Sequence, residues 1–406
     1  MNSGKRPDLK PPTNRLACAV REQVSAALGN PTSPVLLHRP FFPAQAWAYV
    51  KECLDSGWVS SAGSYVTRFE EMLAKATGCR RAIAMVNGTT ALEVSLLLAG
   101  VNKGDEVLCP SLSFVATANA ISHCGAKPHF VDVCNERLSV STAALSARLE
   151  EVAAITPDGA INRQTGNRIA ALCVMHCFGH PADLDGLLSV CKKYSITLVE
   201  DAAESLGSFY RGLHTGRTGL VSAVSFNGNK ILTTGGGGAI LTDDDDLADR
   251  ARHLTSTAKL PHPYEFRHDE VAWNYRLPNL NAALGVAQLE VLDDIVHAKR
   301  SLAEHYRNYL RSIEGVEVLS EPADCFSNYW LNTIVLPESP DCSARDQVLD
   351  QLNLFGLQSR PIWVPMHMLP MYASCARGPM GNSESLYRRV VNIPSSPELS
   401  PTWVEC

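Results

Sequence analysis

The clearest pattern in the chain is an alternation of short apolar runs and amphipathic stretches between about residues 80 and 242. Seven runs rich in β-branched and other apolar residues predict strands: RAIAMV (81–86), DEVLC (105–109), KPHFVDV (127–133), IAALCVMH (169–176), ITLVE (196–200), VSAVSF (221–226) and GAILT (238–242). Helical patterns lie between several of them, such as ALEVSLLLAG, TANAISHCG and DLDGLLSVCKKY. Strands that alternate with helices predict an α/β fold, in which helices cover both faces of a mainly parallel sheet.

The pattern changes on both sides of this region. Before it, RLACAVREQVSAALG carries one apolar stripe from Leu16 to Leu28, which predicts a short amphipathic helix. From about Asn281 a long amphipathic stretch follows, and then a more irregular C-terminal portion. We therefore predict an N-terminal extension (1–35), a large domain (36–285) and a smaller C-terminal α+β domain (286–406).

Composition and charge narrow the class of protein. The chain has 406 residues, 45% of them hydrophobic and 19% charged, which is typical of a globular protein. Its 36 basic and 42 acidic residues give a formal net charge of −6. Binding to nucleic acid or to an anionic membrane needs a basic face, so we expect neither as a partner. No apolar run in the sequence is long enough to span a bilayer.

The cysteines indicate a reducing compartment. There are thirteen of them, an odd number at scattered positions, and no CxxC pair occurs. The polar start MNSGKRPDLKPPTN lacks the apolar core of a secretory signal, so we expect a cytoplasmic protein with free thiols. Cys173, His176 and Cys177 come nearest to a metal cluster. In a strand the two thiols would face away from His176, and we expect no metal site there.

The segment SFNGNKILTTGGGG (225–238) is the most informative for chemistry. Lys230 lies in a short polar loop after a buried strand, and four glycines follow it. An amine in such a loop suits a lysine kept within reach of a cofactor. A surface lysine beside a flexible glycine turn fits this segment about equally well.

Three further segments place polar or aromatic residues at predicted strand ends. Asp201 ends the strand of SITLVED, where a carboxylate can hold a pyridine nitrogen protonated, although a helix N-cap explains it as well. In VNGTTALEVSLLLAG, the NGTT turn (87–90) runs into an apolar helix whose N-terminus suits a phosphate. Phe114 follows another strand end, where its ring can stack on a planar group or fill the core.

One cofactor requires all four of these features. Pyridoxal phosphate needs a Schiff-base lysine, a carboxylate at the ring nitrogen, a phosphate cup and a stacking aromatic ring. The sequence supplies the cup, the aromatic residue, the carboxylate and the lysine in that order, each at a predicted strand end. We therefore predict pyridoxal 5′-phosphate as the cofactor.

The chain from about His38 to Pro397 resembles the sugar aminotransferases of the DegT/DnrJ/EryC1/StrS family. The matching stretches are SGWVSSAGSYVTRFE, NGTTALEVSL, GDEVLCPSLSFVATANAI, FGHPADLD, EDAAESLGSFY, HTGRTG, SFNGNK, WNYRLPNLNAALGVAQLE and NIPSSP. This resemblance implies the fold of type I pyridoxal phosphate-dependent transferases, similar to aspartate aminotransferase. We therefore expect a mainly parallel seven-stranded sheet in the large domain and a smaller C-terminal α+β domain.

Longer runs are similar to one branch of that family. MHCFGHPADLD, EDAAESLGSFYRGLHTG, SFNGNKILTTGGGG and NYWLN resemble the enzymes that aminate nucleotide-linked 4-keto-6-deoxy-N-acetylhexosamines, as in legionaminic acid- or bacillosamine-type glycan and nonulosonic acid pathways. The resemblance implies transfer of an amino group from L-glutamate to the C4 ketone of such a sugar. The reaction would proceed through an internal aldimine of Lys230 and a pyridoxamine phosphate intermediate. The nucleotide (UDP or GDP) and the stereochemistry stay open.

The family pattern also implies roles for individual residues. Lys230 would bind the cofactor and later transfer the proton, Asp201 would pair with the pyridine nitrogen, and Phe114 would stack on the ring. The phosphate would be held by Gly88, Thr89 and Ser225. Glu204 stands where many members carry glutamine or histidine near the phenolic oxygen, so its carboxyl group is either protonated or in indirect contact.

The resemblance further implies a homodimer with shared active sites. Asn274 matches an asparagine that reaches the cofactor phosphate of the neighbouring subunit, and Arg276 would meet the nucleotide diphosphate. Further candidates for substrate contacts are His38, Arg360 and His367.

Two other functions remain open at this point. A pyridoxal phosphate-dependent sugar dehydratase has the same fold, but it typically has histidine in place of the lysine. A catalytically silent module of this fold is disfavoured by the joint presence of Lys230, Asp201 and Ser225.

Overall fold

The structure is a computed structural model, and it describes residues 15–157 and 159–404. Residues 1–14, the proline-rich start of the predicted extension, lie outside the described residues. The helices are α1 (Arg15–Ala27), α2 (Ala44–Ser56), α3 (Ser64–Thr77), α4 (Gly88–Leu98), α5 (Val115–His123), α6 (Thr142–Val152), α7 (Leu184–Tyr194), α8 (Asp245–Thr255), α9 (Asn279–Leu289), α10 (Leu292–Leu310), α11 (Ser343–Leu354) and α12 (Gly381–Arg389). The strands are β1 (Arg81–Met85), β2 (Glu106–Pro110), β3 (Lys127–Val131), β4 (Ala153–Thr156), β5 (Gly159–Asn162), β6 (Arg168–Met175), β7 (Thr197–Asp201), β8 (Phe209–Tyr210), β9 (Leu213–His214), β10 (Val221–Ser225), β11 (Gly238–Thr242), β12 (Lys259–Leu260), β13 (Arg267–His268), β14 (Glu317–Val318), β15 (Cys325–Phe326), β16 (Asn332–Val335), β17 (Arg360–Pro361) and β18 (Val390–Ile393).

Seven strands form the main path of the largest sheet, in the order β1-β11-β10-β7-β6-β2-β3. The strands from β10 to β3 pair in parallel, whereas β11 is antiparallel to both β1 and β10. These seven strands correspond to the seven predicted runs, so the prediction of a mainly parallel sheet is confirmed, although the whole sheet has nine strands and not seven. The sheet also has a hairpin of β4 and β5, joined to β6 through β5, which the sequence pattern does not predict.

Both faces of this main sheet are buried, which explains the near-continuous apolar runs of its strands. Val107 and Cys109 of β2 pack in a cluster with apolar residues of α4 and α5. Leu108, which lies between them, packs in a separate cluster with apolar residues of α6 and α7. Helices therefore cover both faces, as the alternating pattern predicts.

A second sheet is formed near the end of the chain. Its four strands follow the order β14-β16-β18-β17 and are antiparallel. The long helical stretch after Asn281 consists of two helices, α9 and α10, which are separated at Glu290 and Val291. This part has the expected α+β character, while the domain boundaries after residues 35 and 285 stay a prediction.

Helix α1 packs on the helices beside the second sheet. Its apolar stripe buries Ala17, Val20 and Val24 against α10 and α11, so the predicted amphipathic helix is confirmed. Beyond α1, the Val35 N–H donates to the Gly356 carbonyl at 2.8 Å, and the Leu37 carbonyl accepts a hydrogen bond from the Ser395 N–H at 2.7 Å. This pairing guides the chain from α1 toward His38.

The carboxyl ends of the parallel strands meet at one edge of the main sheet. Asp201 ends β7, Ser225 ends β10, and Phe114 lies in the loop after β2. β1 has the same direction as β10, because β11 is antiparallel to both of them, so Asn87 reaches the same edge. Open α/β sheets bind their ligands at this edge.

The sequence predicts free thiols, and it contains no apolar run long enough to span a bilayer. Every described cysteine has a free thiol, and Cys406 lies outside the described residues. Within residues 15–157 and 159–404, the helices are too short or too polar to cross a bilayer.

Docking of α1 can be tested with Val24→Asp. The substitution removes a fully buried valine, whose burial contributes about 1.5–3 kcal/mol, and places a carboxylate in its position. We expect α1 to leave its site at least about tenfold more often. Trypsin should then cleave after Arg21 correspondingly faster, as measured by a time course of limited proteolysis. Gln23→Ala, at a half-buried position of the same helix, should be cleaved like the wild type, and equal rates for all three proteins would contradict the packing of α1.

Candidate active site

A cavity of about 700 Å³ lies at the carboxyl edge of the main sheet. Nine of the predicted site residues line it: His38, Gly88, Thr89, Phe114, Asp201, Glu204, Ser225, Lys230 and Arg360. The rest of the lining comes from Leu37, Asn87, Leu92, Ala116, Met175, Phe178, Ala203, Asn227, Asn229, Trp330, Leu331, Gln358, Pro361, Ile362, Trp363, Val364 and Asn392. Segments of the second sheet thus form the wall opposite the strand ends.

The turn between β1 and α4 forms a cup beside Ser225. The side chain of Asn87 accepts a hydrogen bond from the Thr90 N–H at 2.8 Å and caps α4. The N–H groups of Gly88 and Thr89 belong to the first helical turn, where the helix supplies no acceptor. A Cβ atom at Gly88 would lie 2.7 Å from the Ser225 Cβ, so only glycine allows this close approach. The helix end and the Ser225 hydroxyl therefore suit a single phosphate group.

Asp201 is buried at the end of β7. Its Oδ2 accepts a hydrogen bond from the Thr117 hydroxyl at 2.8 Å, and its Oδ1 accepts one from the Ala203 N–H at 3.2 Å. Burial raises the pKa of Asp201, and these two hydrogen bonds act in the opposite direction. A fixed, buried carboxylate of this kind suits a cationic N–H partner, such as a protonated ring nitrogen.

Lys230 is only 9% exposed, so the alternative of a surface lysine is wrong. Its N–H donates to the Asn227 carbonyl at 2.9 Å, which closes a turn. The indole N–H of Trp330 donates to the Asn229 carbonyl at 2.7 Å and fixes the same loop. The Lys230 Nζ lies 4.1 Å from the centre of the Trp330 ring and 3.1 Å from Glu204 Oε1.

The last two glycines after Lys230, Gly237 and Gly238, allow close packing. The Phe226 N–H donates to the Gly237 carbonyl at 2.8 Å, which joins the two ends of the loop. A Cβ atom at Gly238 would lie 2.5 Å from the carbonyl carbon of Asn87. Gly238 therefore allows β11 to lie directly against the start of α4.

Glu204 is a buried carboxylate beside the lysine. Its Oε2 accepts a hydrogen bond from the Phe178 N–H at 2.9 Å, while Oε1 faces the Lys230 Nζ. Burial raises the pKa of Glu204 to about 6, against the lowering effect of Lys230. In this structure the direct contact of Glu204 is thus with the lysine itself.

Aromatic rings form one wall of the cavity. Phe178 lies 4.8 Å from Trp363 and 6.2 Å from Trp330 between ring centres, and Phe114 lies 6.3 Å from Trp363. Sequence reasoning assigns no role to Phe178 or Trp330. Both lie in runs that match the family, MHCFGHPADLD and NYWLN, and an aromatic residue in such a run is the signal that points to them.

Three predicted site residues do not line the cavity of their own chain. Asn274 and Arg276 are exposed, in a segment that pairs with Ser256 and Met85. Their expected role lies in a neighbouring subunit, and it stays a prediction.

The third of these residues, His367, has both ring nitrogens engaged away from the cavity. Its Nδ1 lies 2.6 Å from the Ser111 hydroxyl and its Nε2 lies 3.2 Å from Glu384 Oε1. The ring thus connects the loop after β2 with α12, and the structure does not bring it to the predicted substrate.

His38 and Arg360 lie on the wall opposite the strand ends. Neither ring nitrogen of His38 has a hydrogen-bond partner among the described residues. Burial lowers the pKa of His38 well below its ordinary value, and the nearby Lys299 and Lys230 act in the same direction. A neutral imidazole offers one donor and one acceptor, whereas Arg360 offers a positive charge.

The cysteine and histidine run after β6 differs from the expected geometry. β6 ends at Met175, and the chain turns at once into a short 3₁₀ helix at Cys177–Gly179. Cys173 and Cys177 therefore pack in different clusters, and the expectation that they share a face is wrong. The His176 Nε2 lies 2.9 Å from Glu200 Oε2, so this histidine has a partner in the core.

Three comparisons with known proteins, by family model, by sequence and by structure, all match this chain to aminotransferases. The model of the DegT/DnrJ/EryC1/StrS aminotransferase family matches residues 43–405. The GDP-perosamine synthase of Escherichia coli O157:H7 is 35% identical over 365 residues, which cover 90% of this chain and 94% of that protein. EpsN of Bacillus subtilis (strain 168), whose name describes a pyridoxal phosphate-dependent aminotransferase, is 35% identical over 370 residues, or 90% of this chain and 92% of EpsN. The crystal structure of the aminotransferase TlmJ from Streptoalloteichus hindustanus superposes with a TM-score of 0.81 at 29% identity, covering 91% of this chain and 95% of TlmJ.

The cup can be tested with Gly88→Ala. The added Cβ atom would push the start of α4 away from Ser225, at a cost of about 1–3 kcal/mol. We expect about five- to hundredfold weaker binding of pyridoxal 5′-phosphate, measured by titration of dialysed protein and its visible absorption. Gly381→Ala is a matched control, because Gly381 also begins a helix and has no atom within 4 Å of the added Cβ. Equal affinity of the two variants would show that the cup does not hold the cofactor.

Proposed function

Since the chain belongs to the DegT/DnrJ/EryC1/StrS family and is a pyridoxal phosphate-dependent sugar aminotransferase, we propose which amino group it moves and to which acceptor. The donor is L-glutamate, and the acceptor is the C4 ketone of a nucleotide-linked 4-keto-6-deoxy-N-acetylhexosamine. The observation that carries the proposal is that the phosphate cup at Gly88 and Ser225, the carboxylate of Asp201 and the amine of Lys230 all line one cavity.

The residues of the cavity fit the cofactor. The N–H groups of Gly88 and Thr89 and the Ser225 hydroxyl would hold its phosphate, and Asp201 would hold the proton on its ring nitrogen. Phe114, which is 47% exposed and faces the cavity, would lie against the ring. Bound there, the cofactor supplies an electron-withdrawing ring that stabilises negative charge at a carbon that has lost a proton.

The chain's own residues would then carry out proton transfer. Lys230 is the lysine of this cavity, and its Nζ would accept the Cα proton of the amino donor and return a proton during transfer to the sugar. An amine does this only when neutral, and the Trp330 ring over the Nζ helps to exclude water from it. The hydrogen bonds from Thr117 and Ala203 would keep Asp201 ionised, as its role at the ring nitrogen requires.

The names of relatives and the wall opposite the strands support a nucleotide sugar as acceptor. The Escherichia coli relative is named for GDP-perosamine, a GDP-linked sugar. On this chain, the exposed Arg360 would meet the diphosphate, while the neutral His38 would meet a sugar hydroxyl or amide group. The choice of an N-acetylhexosamine rests on the matching runs MHCFGHPADLD, EDAAESLGSFYRGLHTG, SFNGNKILTTGGGG and NYWLN.

Exposed apolar side chains support a homodimer. Trp47 and Trp58, at and beyond α2, are 78% and 61% exposed, and Tyr264 in the β12–β13 hairpin is 91% exposed. Large exposed aromatic residues such as these are a feature of surfaces that contact a partner. Asn274 and Arg276 follow that hairpin and are exposed too, so a second copy on this side would receive them at its own cavity.

The proposed reaction can be tested with a panel of UDP- and GDP-linked 4-keto-6-deoxy sugars, with and without an N-acetyl group. With L-glutamate, the wild type should convert an N-acetylated member to its amino sugar and release 2-oxoglutarate, both followed by mass spectrometry. Lys230→Ala should lower turnover by at least about a thousandfold, because no other group replaces its nucleophile and base. Lys192→Ala, which removes an exposed lysine on α7, should behave like the wild type. Full activity of Lys230→Ala, or conversion of no panel member, would refute the proposal.

Sharing of the active site can be tested by mixing two variants. In a dimer of one Lys230→Ala chain and one Asn274→Ala chain, one of the two sites has both native residues. Co-expressed chains that pair at random should therefore regain about a quarter of the wild-type activity, whereas each variant alone has little. Sedimentation measures whether the chains pair. Activity no higher than the sum of the two variants would contradict a shared site.

A further inference from the structure

Glu204 is the charged group in contact with the reactive amine, and its two oxygens have different surroundings. Oε2 is held by the Phe178 N–H at 2.9 Å, and the backbone carbonyl of Glu204 accepts a hydrogen bond from the Asn328 amide at 3.0 Å. The first contact holds the side chain and the second holds the backbone, while Oε1 is directed at the Lys230 Nζ at 3.1 Å. One oxygen is thus a structural anchor and the other is in position to exchange a proton.

We propose that Glu204 takes the proton from the Lys230 ammonium when the lysine binds the cofactor aldehyde, and returns it to the departing oxygen. This inference rests on the proposed role of Lys230 as the cofactor-binding lysine. The pair is largely buried, with Glu204 at 2% exposure, and both residues line the cavity.

The step balances in atoms and charge. Nζ gives one proton to Oε1, and the neutral amine forms a bond to the aldehyde carbon. The aldehyde oxygen receives the second Nζ proton and the proton from Glu204 and leaves as water, so that a C=N bond remains with one proton on nitrogen. Glu204 is again ionised at the end, and release of the lysine follows the same steps in reverse.

The other titratable groups around Glu204 do not offer the same contact. Asp201 raises the pKa of Glu204 through its charge, but its own oxygens are used by Thr117 and Ala203. Cys177 is fully buried, and burial raises the pKa of its thiol well above the ordinary value, so it is neutral. The raised pKa of Glu204, about 6, leaves it ionised at neutral pH yet makes it a stronger base than an exposed glutamate.

The rate at which apoenzyme takes up pyridoxal 5′-phosphate tests this inference without turnover. In the wild type, the visible band should appear at a rate that is nearly independent of pH above about 6 and falls below it, where Glu204 already carries a proton. Glu204→Gln keeps an acceptor for the Phe178 N–H but cannot take a proton. It should load about a hundredfold more slowly at neutral pH, with a rate that rises about tenfold per pH unit.

Two control variants and a chemical trapping step separate the role of the Glu204 carboxylate from other effects on the loading rate. Glu93→Gln changes another buried glutamate, on α4, and should load like the wild type. Glu204→Asp restores a carboxylate and should recover the pH-independent region, even if its rate is lower. Borohydride reduction followed by peptide mass analysis reports whether the cofactor is attached to Lys230.

The possible failures are distinguishable. If the wild type attaches no cofactor to Lys230, the proposed function fails. If attachment occurs but Glu204→Gln has the rate and pH profile of the wild type, only the role of Glu204 is refuted. Should Glu204→Gln not fold, a wild-type rate that rises steadily through pH 6, without a level region, would refute that role by itself.

Discussion

The site depends on one constraint of the main sheet, which is that parallel strands end at a common edge. Asp201 and Ser225 are neighbours because β7 and β10 pair in parallel, with Asp201 opposite Ala223. β1 does not pair with β10, yet it has the same direction because β11 lies between them and is antiparallel to both. A single reversed strand thus brings the anion cup to the edge where the carboxylate and the lysine loop already lie.

A second constraint comes from a buried amide in the C-terminal part of the chain. The Asn328 side chain donates to the Glu204 carbonyl at 3.0 Å and accepts a hydrogen bond from the Trp330 N–H at 2.8 Å. Gly179 lies so close that a Cβ atom there would overlap the Asn328 oxygen. Because it is costly to leave a buried amide unpaired, Asn328 fixes the turn after β7 and the backbone of Trp330 at the same time.

The local pattern of apolar and polar residues is sufficient to predict the seven main strands of the large sheet and those site residues that closely follow a strand. Gly88, Asp201 and Lys230 could be identified from sequence because each stands beside a predicted strand, where the fold dictates the edge it reaches. Phe178 and Trp330 reach the cavity through contacts between distant segments, which no periodicity records. The β4–β5 hairpin was missed for a different reason: its strands have four residues each and are partly exposed, so they lack a long apolar run.

The backbone of Phe178 has a consequence for attempts to make this protein more heat-resistant. Its φ of +53° lies in the left-handed region, which costs a non-glycine residue about 1–2 kcal/mol. Replacing such residues with glycine is a common way to gain stability. At this position, however, the fully buried ring fills the space between Trp363 and Trp330, and its loss would cost about 3–5 kcal/mol. The packing energy of the Phe178 ring therefore exceeds the cost of its left-handed backbone. Replacement of Phe178 by glycine would lower the stability of the protein, so this residue should be kept.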